Sequence, residues 1–342
     1  MSFVVTLYLC LSILLYFLLG GADFGAGIIE MFTSKKNVTR TRKTLYHAIG
    51  PIWEANHMWL IIAIVILFVA FPSIYSLLST HLHIPLVIML MGITARGTAF
   101  VFRHYDAIHD RMQAVYNRVF VISSVVTPLF LGILAGSTVA GRIDPNARDF
   151  AHAYIYPWFN LFSVSTGLFT VALCGFLAAV YLIGEADSEH DRRRFVTKAK
   201  ISNLLAIGFG LTVFASATIE HVPLFNWIFR NPVGLTAVML ASASLVVLWQ
   251  WINRKRPAVL RVLVAFQVTM ILLAITYAHF PNIVLLADGQ TLSLIDSAAP
   301  EKTMQALGWA LILGSLFILP ALYYLFYSFQ KSEDYAHQSS EP

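Results

Sequence analysis

The sequence predicts an all-α polytopic membrane protein of nine transmembrane helices, with the N-terminus outside and the C-terminus in the cytoplasm. Three observations predict it. The 342 residues are 58% hydrophobic and 12% charged, with a mean hydropathy of +0.71, whereas a soluble domain carries about 25% charged residues. The apolar residues gather into nine windows long enough to span a bilayer, which takes about 20 residues. Finally, the basic residues sort almost entirely to one side of those windows. A soluble enzyme is excluded, and the net charge of +5 belongs to membrane orientation rather than to nucleic-acid binding.

The first window, 3–32, follows Met1 and Ser2 without a Lys or Arg and exceeds the apolar core of a secretory signal, so it is expected to be a retained helix. The second, 49–76, opens with Gly50-Pro51, and Pro is favoured at a helix start. The third, 84–103, holds Arg96. The fourth and fifth cover 118–139 and 159–183; Cys174 in the fifth and Cys10 in the first act as small hydrophobes. The sixth, 202–220, ends in Glu220-His221, expected to be a solvated helix end. Windows 233–252, 258–280 and 305–329 complete the set, with Trp158, Trp227, Trp249, Trp251 and Trp309 near their ends as interfacial belt residues. Residues 1–330 are thus expected to form one transmembrane domain, of two four-helix groups plus one peripheral helix, and 331–342 a frayed polar cytoplasmic tail.

Alternate loops test the orientation. Connectors on one side carry 18 of the 23 Lys and Arg, the other side carries four (Arg142, Arg148, Arg230 and Lys302), and Arg96 lies within a span. The basic side is the cytoplasmic one, and removing or adding a span would mix the charges. Two similar hexapeptides, Leu18 to Asp23 and Leu182 to Asp187, hint at an internal repeat.

A charge embedded in a span costs roughly 2.5–3.5 kcal/mol on insertion scales, so it needs a partner, water or neutralisation. Asp23 sits in a glycine-rich stretch, Gly20 to Gly27, whose missing side chains allow close approach of a helix or ligand. Glu54 and His57 stand at i, i+3 on one helix face beside Trp53 and Asn56. Glu54 lies about six residues in, roughly 9 Å at 1.5 Å per residue, where a carboxylate exchanging protons with the cytoplasm would serve a proton route. The bland alternative is a hydrogen-bonded pair that only orients helices. Arg96 asks for a counter-ion, by default a structural one. No HExxH pattern and no paired His spacing supports a metal site.

The blocks Gly21-Ala22-Asp23-Phe24-Gly25-Ala26-Gly27 and Ile49-Gly50-Pro51-Ile52-Trp53-Glu54-Ala55-Asn56-His57-Met58-Trp59-Leu60-Ile61 resemble those of subunit II of the cytochrome bd family of quinol oxidases, in the same order and at the same spacing. Past residue 100 the likeness is one of hydropathy. The resemblance implies a bacterial inner-membrane terminal oxidase that oxidises quinol and reduces dioxygen to water. This chain would be the haem-free member of an obligate heterodimer, with two b-type haems and one d-type haem in subunit I. It leaves open a structural quinone or lipid in this chain and a small single-span third subunit. It also implies a proton route from the cytoplasm, with Glu54 as its acidic residue, Asp23 beside it, His57 near by, and Trp53, Asn56, Gly50 and Pro51 as the supporting motif. The Glu-Ala-Asn-His form is similar to the branch that includes cyanide-insensitive oxidases. A proton-coupled secondary transporter is the competing class, since it too needs embedded carboxylates and glycine-broken helices.

Overall fold

The computed structural model describes residues 1–49, 53–105, 112–254 and 256–338. In chain order these form helix α1 (Ser2–Leu15), a π turn (Tyr16–Gly20) and α2 (Gly21–Met31). Then come α3 (Val38–Ile49), α4 (Trp53–Ala70), α5 (Pro72–His81), α6 (His83–Tyr105) and α7 (Met112–Val139). The second half holds α8 (Phe150–Tyr154), α9 (Leu161–Gly184), α10 (Glu189–Ile219), α11 (Leu224–Phe229), α12 (Pro232–Trp251) and α13 (Pro257–His279). An antiparallel hairpin of β1 (Asn282–Leu285) and β2 (Thr291–Ser293) leads into α14 (Glu301–Gln338).

Among the described residues eight helices are long and apolar enough to cross a membrane, the α1–α2 run counting as one. The second window departs from the expected single helix over 49–76. It breaks after Ala70, and α5 leaves at 114° to α4. The cause is local: Pro72 has no N–H to give the helix, and its ring forces Phe71 out of helical geometry to φ −133°, ψ 59°. Elsewhere the helices run past their windows. α10 begins at Glu189, 13 residues before its apolar stretch, capped by the Ser188 hydroxyl on the Asp191 amide at 3.2 Å. α14 continues through the polar stretch as far as Gln338.

Helix α9 forms the centre, buried along most of its length between α2, α7, α10 and α13. Small residues make that packing available. A Cβ on Gly25 of α2 would overlap the Cys174 backbone carbonyl of α9, and one on Gly27 would overlap the Ser124 side chain of α7, so the glycine-rich stretch is a seam between helices. The π turn precedes this seam and adds a residue to the local turn. Within the first span, α1 packs on α4 and α14, whereas α2 packs on α7 and α9. α14 touches α1 and α4 and, over Glu301–Tyr324, is otherwise largely exposed.

The basic connectors do structural work as well. Lys198 donates to the carbonyls of Ile29 at 2.9 Å and Phe32 at 3.0 Å at the end of α2. Arg192 reaches Asn253 at 3.1 Å and Arg254 at 2.8 Å past α12, and Arg261 the Tyr181 carbonyl at 3.1 Å in α9. Cations at helix C-termini satisfy orphan carbonyls and complement the helix dipole.

Candidate functional site

Two carboxylates on α2 and two guanidinium groups on α6 form a buried row. Asp23 and Glu30 lie seven residues apart, as do Arg96 and Arg103, so each pair occupies one face of its helix. Arg96 donates to Asp23 through Nη1 to Oδ2 at 2.6 Å and Nη2 to Oδ1 at 2.7 Å, and from Nη2 to the Asp23 carbonyl at 2.8 Å. Arg103 donates to Glu30 Oε2 at 2.8 Å. The separation in sequence is 73 in both cases, which two parallel helices in register produce. Arg42 of α3 closes the far end with Nε 2.6 Å from Glu30 Oε1.

Helix α7 supplies the bed. Ser124 Oγ accepts from Arg96 Nε at 3.1 Å. The Phe120 ring lies 4.9 Å from the Arg96 guanidinium carbon and 4.5 Å from that of Arg103, so one aromatic ring serves both cations. With Asp23 and Arg96 side chains 0% and 2% exposed, desolvation is nearly complete, and bidentate geometry with extra acceptors is what offsets such burial.

His57 of α4 enters this row from the side, Nε2 3.8 Å from Asp23 Oδ2. Its ring lies among Tyr16, Phe24 and Trp53, with centroids 6.1, 5.8 and 6.5 Å away. The Tyr16 hydroxyl, Asn56 Oδ1 and His57 Nδ1 are buried without a hydrogen-bond partner among the described residues. Each such group is costly unless water or a ligand meets it.

The structure therefore brings Asp23, His57 and Arg96 together, with Asn56 and Trp53 on the same helix as His57 and the Trp53 ring under Gly97 at 3.2 Å from the position a Cβ would take. Glu54 belongs to the first turn of α4; its side chain, and the whole of Gly50 and Pro51, lie outside the described residues. Glu30, Arg42, Arg103 and Ser124 join the site without having been singled out from sequence. The repeated seven-residue spacing of opposite charges on two spans was the signal that could have found them. The counter-ion that Arg96 requires is Asp23.

One expectation gains a role and another needs correction. Glu220 sits at a partly solvated helix end and is also a cap, because its carboxylate accepts from the amides of Leu161 at 2.9 Å and Phe162 at 3.1 Å, at the N-terminus of α9. The two hexapeptides do not share a local structure, since Asp23 is buried inside α2 whereas Asp187 is exposed beyond the end of α9. Outside the membrane, Asp149 caps α8, and its hydrogen bonds from the His152 ring at 2.9 Å and amide at 3.2 Å hold its carboxyl below the ordinary range. Among the described residues no three His, Cys, Asp or Glu side chains cluster as metal ligands would.

Helices, seam and charge row together define an integral, polytopic helical membrane protein whose buried chemistry is ionic. The family model described as cytochrome bd terminal oxidase subunit II matches residues 1–329, and the chain belongs to that family. It is 32% identical over 160 residues to the cytochrome bd ubiquinol oxidase subunit 2 of Bacillus subtilis (strain 168), an alignment covering 46% of each chain. It is 23% identical over 239 residues to the cytochrome bd-I ubiquinol oxidase subunit 2 of Escherichia coli (strain K12), covering 66% of this chain and 61% of the relative. The alignments thus span about half to three-fifths of those relatives. Among solved structures, the bd oxidase from Geobacillus thermodenitrificans superposes with a TM-score of 0.76 at 20% identity, over 96% of this chain and 98% of the other, a likeness of fold. These comparisons do not favour the transporter class.

Proposed function

We propose that this chain is the haem-free subunit II of a bacterial inner-membrane quinol:dioxygen oxidoreductase, scaffolding a haem-bearing subunit I and conducting protons inward from the cytoplasm. The two b-type haems and the d-type haem belong to the partner in this reading, as do the sites for quinol and dioxygen. Family membership supports the subunit assignment. The sorted basic residues support nine spans, counting the α4–α5 pair as one, with the N-terminus outside, the C-terminal tail cytoplasmic and residues 1–330 a single transmembrane domain in two four-helix groups plus the peripheral α14.

The observation that carries the proton role is the row of buried polar groups from Arg42 and Glu30 at the basic side, past the Phe120 ring, to Asp23 and His57. Glu30 and Asp23 are seven residues apart, roughly 10 Å along the helix axis. Asp23, with both oxygens on Arg96, is held in place as the partner of that guanidinium. The mobile proton falls to His57 and Glu54, with water satisfying the orphaned Tyr16, Asn56 and His57 atoms. Inward proton uptake paired with quinol oxidation on the outside separates charge, worth about 2.3 kcal/mol per elementary charge per 100 mV.

The test is quinol-driven oxygen consumption by the purified complex carrying Glu54→Gln or His57→Phe. Turnover should fall by about 10²-fold, the lower end of what a positioned proton-transfer group contributes, while the reduced-minus-oxidised haem spectrum stays near wild type. Wild-type turnover in both variants would end the proton reading, and a colourless chain purifying without a second large membrane subunit would end the subunit reading.

A further inference from the structure

The basic end of the ion-pair row opens into a cavity of about 270 Å³ lined by Arg42, Lys43, Tyr46, Arg103, Gln113 and Asn117. We propose that this cavity binds a phosphate group, presented by the headgroup of a membrane phospholipid or as free inorganic phosphate. The site lies beyond Glu30, at the basic end of the row and away from His57.

Charge is the first reason. Arg42 and Arg103 share the single Glu30 carboxylate, through Nε and Nη1 respectively, and Lys43 stands exposed on the same wall. Among the described residues Glu30 is the one carboxylate paired with any of these three cations; Asp106 and Asp110 lie outside the described residues. Among the described residues three cations thus stand against one carboxylate, an excess that an anion would balance. Two guanidinium forks and an ammonium match the oxygens of a tetrahedral phosphate better than a lone carboxylate does.

Unmet hydrogen bonds are the second reason. Gln113 Nε2 and Asn117 Oδ1, one turn apart on α7, line the cavity, and each atom is buried with no partner among the described residues. The amide nitrogen suits a phosphate oxygen. The amide oxygen suits the donor that accompanies a phosphate, whether its own hydroxyl or the hydroxyl or ammonium of a headgroup. With liquid water occupying roughly 30 Å³ per molecule, the volume holds a phosphate and a few waters.

The surroundings admit a lipid source. Phe102 precedes Arg103, Met112 precedes Gln113, and Val115 lies between Gln113 and Asn117; all three are exposed large apolar residues on helices that span the membrane, a surface for acyl chains. Basic pockets between transmembrane helices on the cytoplasmic side are where anionic headgroups are held.

The test uses the full chain with its co-purifying subunits in mild detergent, stripped of lipid and phosphate. Thermal midpoints are titrated with phosphatidylglycerol and, separately, with inorganic phosphate, for wild type and for a Lys43→Gln/Gln113→Leu variant. Wild type should shift upward, and the variant should need at least about fivefold more ligand, the worth of one basic contact to a headgroup near the surface. A variant-sensitive shift with the lipid alone names a headgroup, and one with phosphate alone names the free ion. No wild-type shift with either ligand, or identical titrations for the two proteins, overturns the site. Lys43→Gln alone, at an exposed position, repeats the comparison should the double variant fold poorly.

Discussion

Replacing Asp23 with Asn isolates the most deeply buried ion pair among the described residues. The side chains of Asp23 and Arg96 are 0% and 2% exposed, and the pair meets at 2.6 and 2.7 Å with a third bond to the Asp23 carbonyl at 2.8 Å. Asn keeps the shape but removes the charge and turns one acceptor into an amide donor that faces the guanidinium. Arg96 would then be a buried cation held by Ser124, a backbone carbonyl and the rings of Phe24 and Phe120. Breaking a buried pair from one side costs about 3–5 kcal/mol, whereas replacing both partners with apolar groups is often neutral. Asp23→Asn and Arg96→Leu should therefore each destabilise by about that amount, and the Asp23→Leu/Arg96→Leu double variant should lose less than the Arg96→Leu single variant. The assay is a double-variant cycle on reversible unfolding in mixed detergent micelles, run with Asp23→Leu as the matching single change. Additive losses, with a coupling under about 0.5 kcal/mol as for independent sites, would refute the assignment of this pair as the central contact.

Gly25→Leu should abolish assembly, because even a Cβ there overlaps the Cys174 carbonyl and approaches Ala178 Cβ to 2.7 Å, and overpacking costs at least about 1–3 kcal/mol. Gly208→Ala, with nothing within 4 Å of the added atom, should leave the size-exclusion profile in detergent unchanged. Glu220→Ala should lower thermal stability by about 0.5–2 kcal/mol, as for other lost helix caps, with faster amide exchange at Leu161 and Phe162 as its local mark. Asp149 follows the rule for a carboxyl with a depressed folded value: its contribution is present above the unfolded value of about 3.9 and fades as pH falls through the lower folded one. The α8 cap should then hold to below about pH 4, read as retained slow exchange of the His152 amide, and Asp149→Ala should remove that protection at neutral pH.

Much of the fold was legible in the residues because a bilayer imposes a length and a composition on each span. Eight of the nine windows correspond to helices long enough to cross. The second window, 49–76, is not one unbroken helix, because apolar sequence on both sides of Pro72 hides a break that one missing N–H and one ring clash create. The site was half visible. Asp23, Arg96 and His57 were conspicuous as polar groups in apolar runs, whereas Glu30 and Arg103 fall at the very ends of windows 3–32 and 84–103, where a charge does not by itself demand a buried partner.

What the residues determined unaided is the number and length of apolar segments, the side to which the cations sort, and the requirement that Arg96 find a partner. Which partner it finds was decided by tertiary structure alone. A hydrophobic period records that a face is buried, but it carries no address for the group 73 positions away that will meet it. That address depends on Gly25 and Gly27 letting α2 sink between α7 and α9, and on α6 lying parallel to α2 in a register that brings Arg96 to Asp23 and Arg103 to Glu30. Desolvation then makes any other register expensive, since a shift of one turn would leave buried charges of both signs without partners.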